Sequence, residues 1–177
     1  MPDKLRWLAR GPNRLAKSYE GYIVNGIKFH TVELEKRRKT QNSGIVVTAK
    51  TSSFSSARDK NPVTGNISYY GKLQDVIELE YEVNTKVIMF KCDWVDVTCY
   101  EHGIKDDDFG FTLVNFKKLM HTGRQLADEP YVLASQAEQV FYIQESVNTD
   151  CHVVVKMRPQ DFFDMFVGTR VSLEDEA

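Results

Sequence analysis

The sequence predicts a mainly β domain, a small curled antiparallel sheet or partly open barrel with few helices. Three observations predict it. Asn25-Gly26 separates the apolar runs Gly21–Val24 and Ile27–His30, and both residues tolerate the positive φ of a type I′ turn, so 21–30 reads as a β-hairpin. Leu73–Tyr81 and Val87–Val95 each alternate apolar with polar residues and are joined by the short polar stretch Glu82–Lys86, the pattern of an antiparallel pair with one buried face. Gln139–Gln144 and His152–Met157 add two further strand candidates. Short strands separated by turns favour a sheet that curls on itself.

Taken in order, residues 1–20 set Lys4, Arg6, Arg10, Arg14 and Lys17 against Asp3 and Glu20. Gly11-Pro12 interrupts the helical spacing of Leu5 and Leu8, so the segment reads as a basic, loosely docked arm. Residues 21–166 then form a single β-rich domain. After the hairpin, Glu35–Lys39 is a charge run, Thr40–Gly44 a turn and Ile45–Thr48 a short β-branched strand. Residues 51–66 are rich in Ser, Asn, Gly and Pro and read as a long, mobile loop. In the central pair, alternation assigns Leu73, Ile77, Leu79 and Tyr81 to the apolar face, with Glu78 and Glu80 opposite. In the second strand Ile88, Phe90, Cys92 and Trp94 face inward, with Lys91 and Asp93 opposite. Pro130–Gln136 reads as a turn, Pro159 ends the last strand, Gln160–Phe166 suggests a helical turn, and 167–177 is an acidic tail.

Composition sets the class. Hydrophobic residues make up 42% of the 177, enough for a sizeable core. The formal net charge of −2 provides no global field for nucleic acid, so any such contact needs a local patch. Three cysteines are too few for a disulfide framework. No window approaches 18 apolar residues, and no apolar stretch follows Met1 in the manner of a secretion signal. Neither a membrane nor a secretory route is expected. The Asn66-Ile67-Ser68 sequon reads as a chance match, and nucleus or cytoplasm, the nucleus favoured, is the expected compartment.

Chemistry is hard to find. Cys92, Cys99 and His102 lie close in sequence but lack the paired spacing of a zinc site. Asp106-Asp107-Asp108 lacks the spaced oxygens, glycine and terminal glutamate of a calcium loop. Asp108-Phe109-Gly110 spells the magnesium triplet of protein kinases without the other kinase motifs, and Ser135 has no nucleophile elbow. The sequence predicts no catalytic residues, no metal ligands and no cofactor.

Binding is left. Lys36, Arg37, Arg38 and Lys39 form the one dense basic cluster; such a run binds phosphate or directs nuclear import, or is a solvated loop. Tyr69, Tyr70 and Trp94 are either core or a rim at which aromatics stack on bases or cage a methylated ammonium. The expected partner is a protein or chromatin, with any nucleic-acid binding weak, non-specific and dependent on Arg37 and Arg38.

Several stretches resemble a known plant family. They include Leu5-Arg-Trp-Leu-Ala-Arg-Gly-Pro12, Gly21-Tyr-Ile-Val-Asn-Gly-Ile-Lys-Phe-His-Thr31, Arg38-Lys-Thr-Gln-Asn-Ser-Gly-Ile-Val46, Tyr69-Tyr-Gly71, Phe90-Lys-Cys-Asp-Trp-Val-Asp-Val97, Gly110-Phe-Thr-Leu-Val-Asn-Phe116 and Asp128-Glu-Pro130. The family is a domain of unknown function found in En/Spm (CACTA)-type transposase proteins, C-terminal to the catalytic domain. The resemblance implies a DNA-transposon origin and no catalytic residues, with oligomerisation or inhibition of another protein as the alternative role. The order Tyr70-Gly-Lys-Leu73, Val87–Trp94, then 115–135 is also similar to bromo-adjacent homology domains, chromatin modules built on a curled β-barrel. That likeness implies a methyl-lysine cage with Tyr70 and Trp94 at two positions; Cys92 stands where a third aromatic belongs, and Val95-Asp96 replaces the usual Arg-Pro.

Overall fold

The computed structural model describes residues 9–53, 63–81, 85–98, 103–125, 128–145 and 150–156. Its elements are β1 (Lys17–Tyr19), β2 (Gly21–Val24), β3 (Ile27–His30), α1 (Val32–Glu35), β4 (Gly44–Ser53), β5 (Val63–Tyr81), β6 (Thr85–Val95), β7 (Ile104–Asp106), β8 (Thr112–Asn115), β9 (Leu119–Met120), β10 (Tyr131–Leu133), a 3-10 turn (Ala134–Gln136), β11 (Glu138–Gln144) and β12 (Cys151–Lys156). Ten strands form one antiparallel sheet in the order β10-β6-β5-β4-β11-β12-β8-β7, with β1 beside β5 and β9 beside β6. The sheet is strongly curled, half of a barrel, and the domain is mainly β as the alternation predicts.

The curl gives the sheet two cores. On one face Ile45, Leu73, Val76, Phe90, Cys92 and Trp94 pack with Phe29 from the β2–β3 hairpin and with Ala134. On the other, Val46, Tyr70 and Val95 pack against Val114, Val140, Tyr142 and Val154. Strands buried on both faces need apolar residues at consecutive positions, and Ile45-Val46 and Trp94-Val95 supply them. The Tyr142 hydroxyl lies 3.0 Å from the Ile45 carbonyl and 2.9 Å from that of Gly71 and donates between them.

The hairpin turn forms as read: Asn25 and Gly26 have φ of 51° and 79°. Tyr22, Val24, Ile27 and Phe29 of this separate two-stranded sheet face the first core. The chain then enters α1, whose N-cap Thr31 accepts from the Leu34 amide. Glu35 closes the turn that follows by accepting from the amides of Asn42 at 2.9 Å and Ser43 at 2.8 Å. Gln139 ties the hairpin to β11, its Nε2 donating to the Lys28 carbonyl at 2.7 Å.

Strands β5 and β6 pair antiparallel from Gly71↔Trp94 to Tyr81↔Thr85. Ile88, Phe90, Cys92 and Trp94 face the first core as alternation requires. In β5 the reading fails beyond Leu73. The register slips between Leu73 and Asp75, a β-bulge that inserts one residue and turns every later side chain to the opposite face. Val76 and Glu78 therefore join Leu73 on the buried side, while Ile77 and Leu79 stand half-buried. Glu78, 5% exposed, is held by Lys86 at 3.0 Å, by Lys17 at 3.6 Å and by the Tyr19 hydroxyl. The hydrogen bond from Lys86 keeps its carboxyl below the usual carboxylate range.

Three other expectations change. Lys17–Tyr19 of the N-terminal arm is a strand, paired with Val76–Glu78, because β4 ends its pairing with β5 at Lys72 and leaves that edge open. The stretch read as a loop over 51–66 is strand at both ends, with Thr51↔Gly65, Ser52↔Thr64 and Ser53↔Val63 in register; 54–62 lie outside the described residues. Beyond Val47 and Tyr69 this β4–β5 ribbon has no third strand among the described residues. Pro130–Gln136 is more than a turn: Tyr131–Leu133 adds to the β6 edge. The helical turn at 160–166 and the acidic tail also lie outside the described residues.

Candidate binding groove

The hairpin's alternation creates the site. Phe29 points into the first core, so its neighbours Lys28 and His30 are presented on the outer face, across from Ile23 and Gly21. Helix α1 and the residues after it pack over that face, bringing in Leu34 and Arg38. Together these residues line an open groove of about 560 Å³. Lys28 and Arg38 are exposed, and neither has an acidic partner among the described residues. His30 is only 4% exposed, and its Nδ1 has no hydrogen-bond partner. Burial, reinforced by Lys28 and Arg38 and opposed by Glu35, lowers the His30 pKa below 6.5.

The predicted basic cluster is divided by its surroundings. Lys36 pairs with Glu33 at 2.8 Å, and Arg37 grips both carboxylate oxygens of Glu20 at 2.8 and 2.9 Å. Both pairs are exposed and energetically modest. Arg38 faces the groove instead, and Lys39 is exposed beside it. Of the two arginines singled out by the sequence, only Arg38 reaches the groove. Lys28 and His30 were not singled out; the available signal was the Lys-Phe-His alternation directly after a hairpin turn.

The predicted aromatic residues do not converge. Trp94 is 6% exposed in the first core, with its indole nitrogen donating to the Pro130 carbonyl at 3.1 Å. Tyr70 is 5% exposed in the second core, on the opposite face of the sheet. Tyr69 is half-buried against the first core. No cage is formed by Tyr70 and Trp94.

A second polar cluster closes the mouth of the second core. Lys72 Nζ lies 4.0 Å from the centre of the Phe116 ring, and His152 meets the same ring edge-on at 5.5 Å. Burial lowers the pKa of both groups, and Lys72 lowers that of His152 further. The lysine is held by a cation–π contact. Cys92 is buried, and burial together with Asp93 pushes its thiol far up, so it packs as a small hydrophobe. Among the described residues no three His, Cys, Asp or Glu side chains gather as metal ligands; Cys99 and His102 lie outside them. The Asp106–Asp108 run is a turn, in which Asp107 accepts from the amides of Phe109 and Phe111.

Comparison with known proteins reaches only part of this chain. Residues 77–155 match DUF4216, a domain of unknown function. The matched stretch runs from the second half of β5 to β12 and holds most of the second core; the hairpin, α1 and the groove precede it. No curated protein and no solved structure matches the chain.

Proposed function

We propose that this chain is a non-catalytic binding module of DNA-transposon origin that engages an acidic partner, chromatin or nucleic acid, in the nucleus. The observation that carries this reading is the groove between the hairpin and α1, where Lys28 and Arg38 lack acidic partners while every nearby carboxylate is occupied. The family resemblance supports the origin, and the net charge of −2 concentrates attraction for phosphate at this patch. Binding is weak and sequence-independent, with a Kd on the order of 10⁻⁴ to 10⁻⁶ M at physiological salt. Fluorescence anisotropy with duplex and single-stranded oligonucleotides across a salt series tests it. Affinity should fall steeply with salt, and Lys28→Ala with Arg38→Ala should remove roughly two units from the log–log slope. Absence of binding at low salt, or binding indifferent to salt, overturns the reading.

A second reading, a protein-interaction or oligomerisation module, rests on the outer face of β11–β12. There Phe141 pairs with Val155 and Ile143 with Val153, and Ile143 is 57% exposed. Apolar pairs of this kind mark contact surfaces that tolerate salt. Sedimentation of the wild type and Ile143→Glu tests it: a monomer at all concentrations removes the self-association branch.

A further inference from the structure

The groove has a feature that general attraction to acidic partners does not require, a buried histidine with an unpartnered ring nitrogen lining a space flanked by two free cations. We infer that Lys28, His30 and Arg38 form a discrete site for a single phosphate group, deepening the proposed binding of a polyanion and resting on it. Lys28 and His30 reach the site from alternate positions on β3, and Arg38 arrives from the segment after α1. Donors approaching from separate elements suit a tetrahedral oxyanion better than a planar carboxylate, which offers only two oxygens.

The surroundings favour an anion. Glu33 is committed to Lys36 and Glu20 to Arg37, and Glu35 is occupied by the amides of Asn42 and Ser43. The groove is left with uncompensated positive charge. A buried imidazole nitrogen normally has a partner, and an anion oxygen accepting from the ring supplies one. Ile23 and Leu34 border the same groove and form an apolar wall for whatever carries the phosphate.

The test is an NMR titration of the full chain with inorganic phosphate, against chloride at matched ionic strength. Saturable shifts centred on the amides of Lys28 and Arg38 and on the His30 ring are expected. Lys28→Ala and Arg38→Ala, both exposed and folded, should each weaken phosphate binding about tenfold, whereas Lys117→Ala, remote on the surface, leaves it unchanged. Oligonucleotides with and without a terminal phosphate then separate a chain end from the backbone as the source. Shifts that do not saturate, or that chloride reproduces, overturn the site. Saturable phosphate binding without any oligonucleotide binding keeps the site and overturns the proposed nucleic-acid function; the converse keeps the function and overturns the site.

Discussion

Tyr70 and Trp94 lie on opposite faces of the β5–β6 ladder. Trp94 is in register with Gly71, so Tyr70, one position earlier, projects through the other side of the sheet. Each ring is structural in its own core. Trp94→Ala should therefore cost about 3–5 kcal/mol of stability, part of it from the stranded Pro130 carbonyl. Urea denaturation checks this. Loss of a ligand with no loss of stability would return Trp94 to the list of binding residues.

Gly44 permits the closest approach in the sheet. A Cβ there would strike the Val140 carbonyl and crowd the Tyr142 ring, where β4 meets β11. Gly44→Ala should destabilise the fold by more than about 2 kcal/mol, read as a lowered urea midpoint. A near-neutral result would mean that β4 and β11 separate without penalty.

Acid should weaken the fold through Glu78. Its pKa is depressed in the folded chain, chiefly by the hydrogen bond from Lys86, so the stabilisation is complete above the unfolded carboxylate pKa and is lost as pH falls through the lower folded value. Glu78→Gln should be less stable than wild type at pH 7, with the difference shrinking towards pH 3. A difference independent of pH would assign the role of Glu78 to packing.

His30 titrates in the opposite chemical sense with a similar outcome. Its folded pKa lies below 6.5, so the neutral ring is favoured; that contribution is full above about pH 6.5 and declines on acidification through the folded value. Phosphate in the groove should raise this pKa, and a proton-detected histidine titration with and without phosphate measures it. An unchanged pKa would place the anion elsewhere.

Legibility followed the regularity of the strands. Phe90, Cys92 and Trp94 were readable because β6 alternates without interruption along its buried face. In β5 one inserted residue near Gln74, with no glycine or proline to announce it, reversed the faces and buried Glu78 while Ile77 stood aside. The 51–53 and 63–66 segments carry loop-forming residues, yet pairing with each other overrides that composition. The groove was hidden for a different reason. Its residues come from a hairpin face chosen by Phe29 and from a four-residue helix with too short a period to read.

The β4–β5 ribbon beyond Val47 and Tyr69 has consequences for how the fold opens. Ten rungs join these strands from Gly44↔Lys72 to Ser53↔Val63, but neighbouring strands brace only the inner end. A two-stranded ribbon is marginal by itself, so its amide protons should exchange with solvent rung by rung from the tip inward, without global unfolding. Exchange should slow abruptly at Ile45 and Gly71, where the brace begins. The ribbon behaves as a zipper with one fixed end, its tip open to capture by any extended strand presented along its edges.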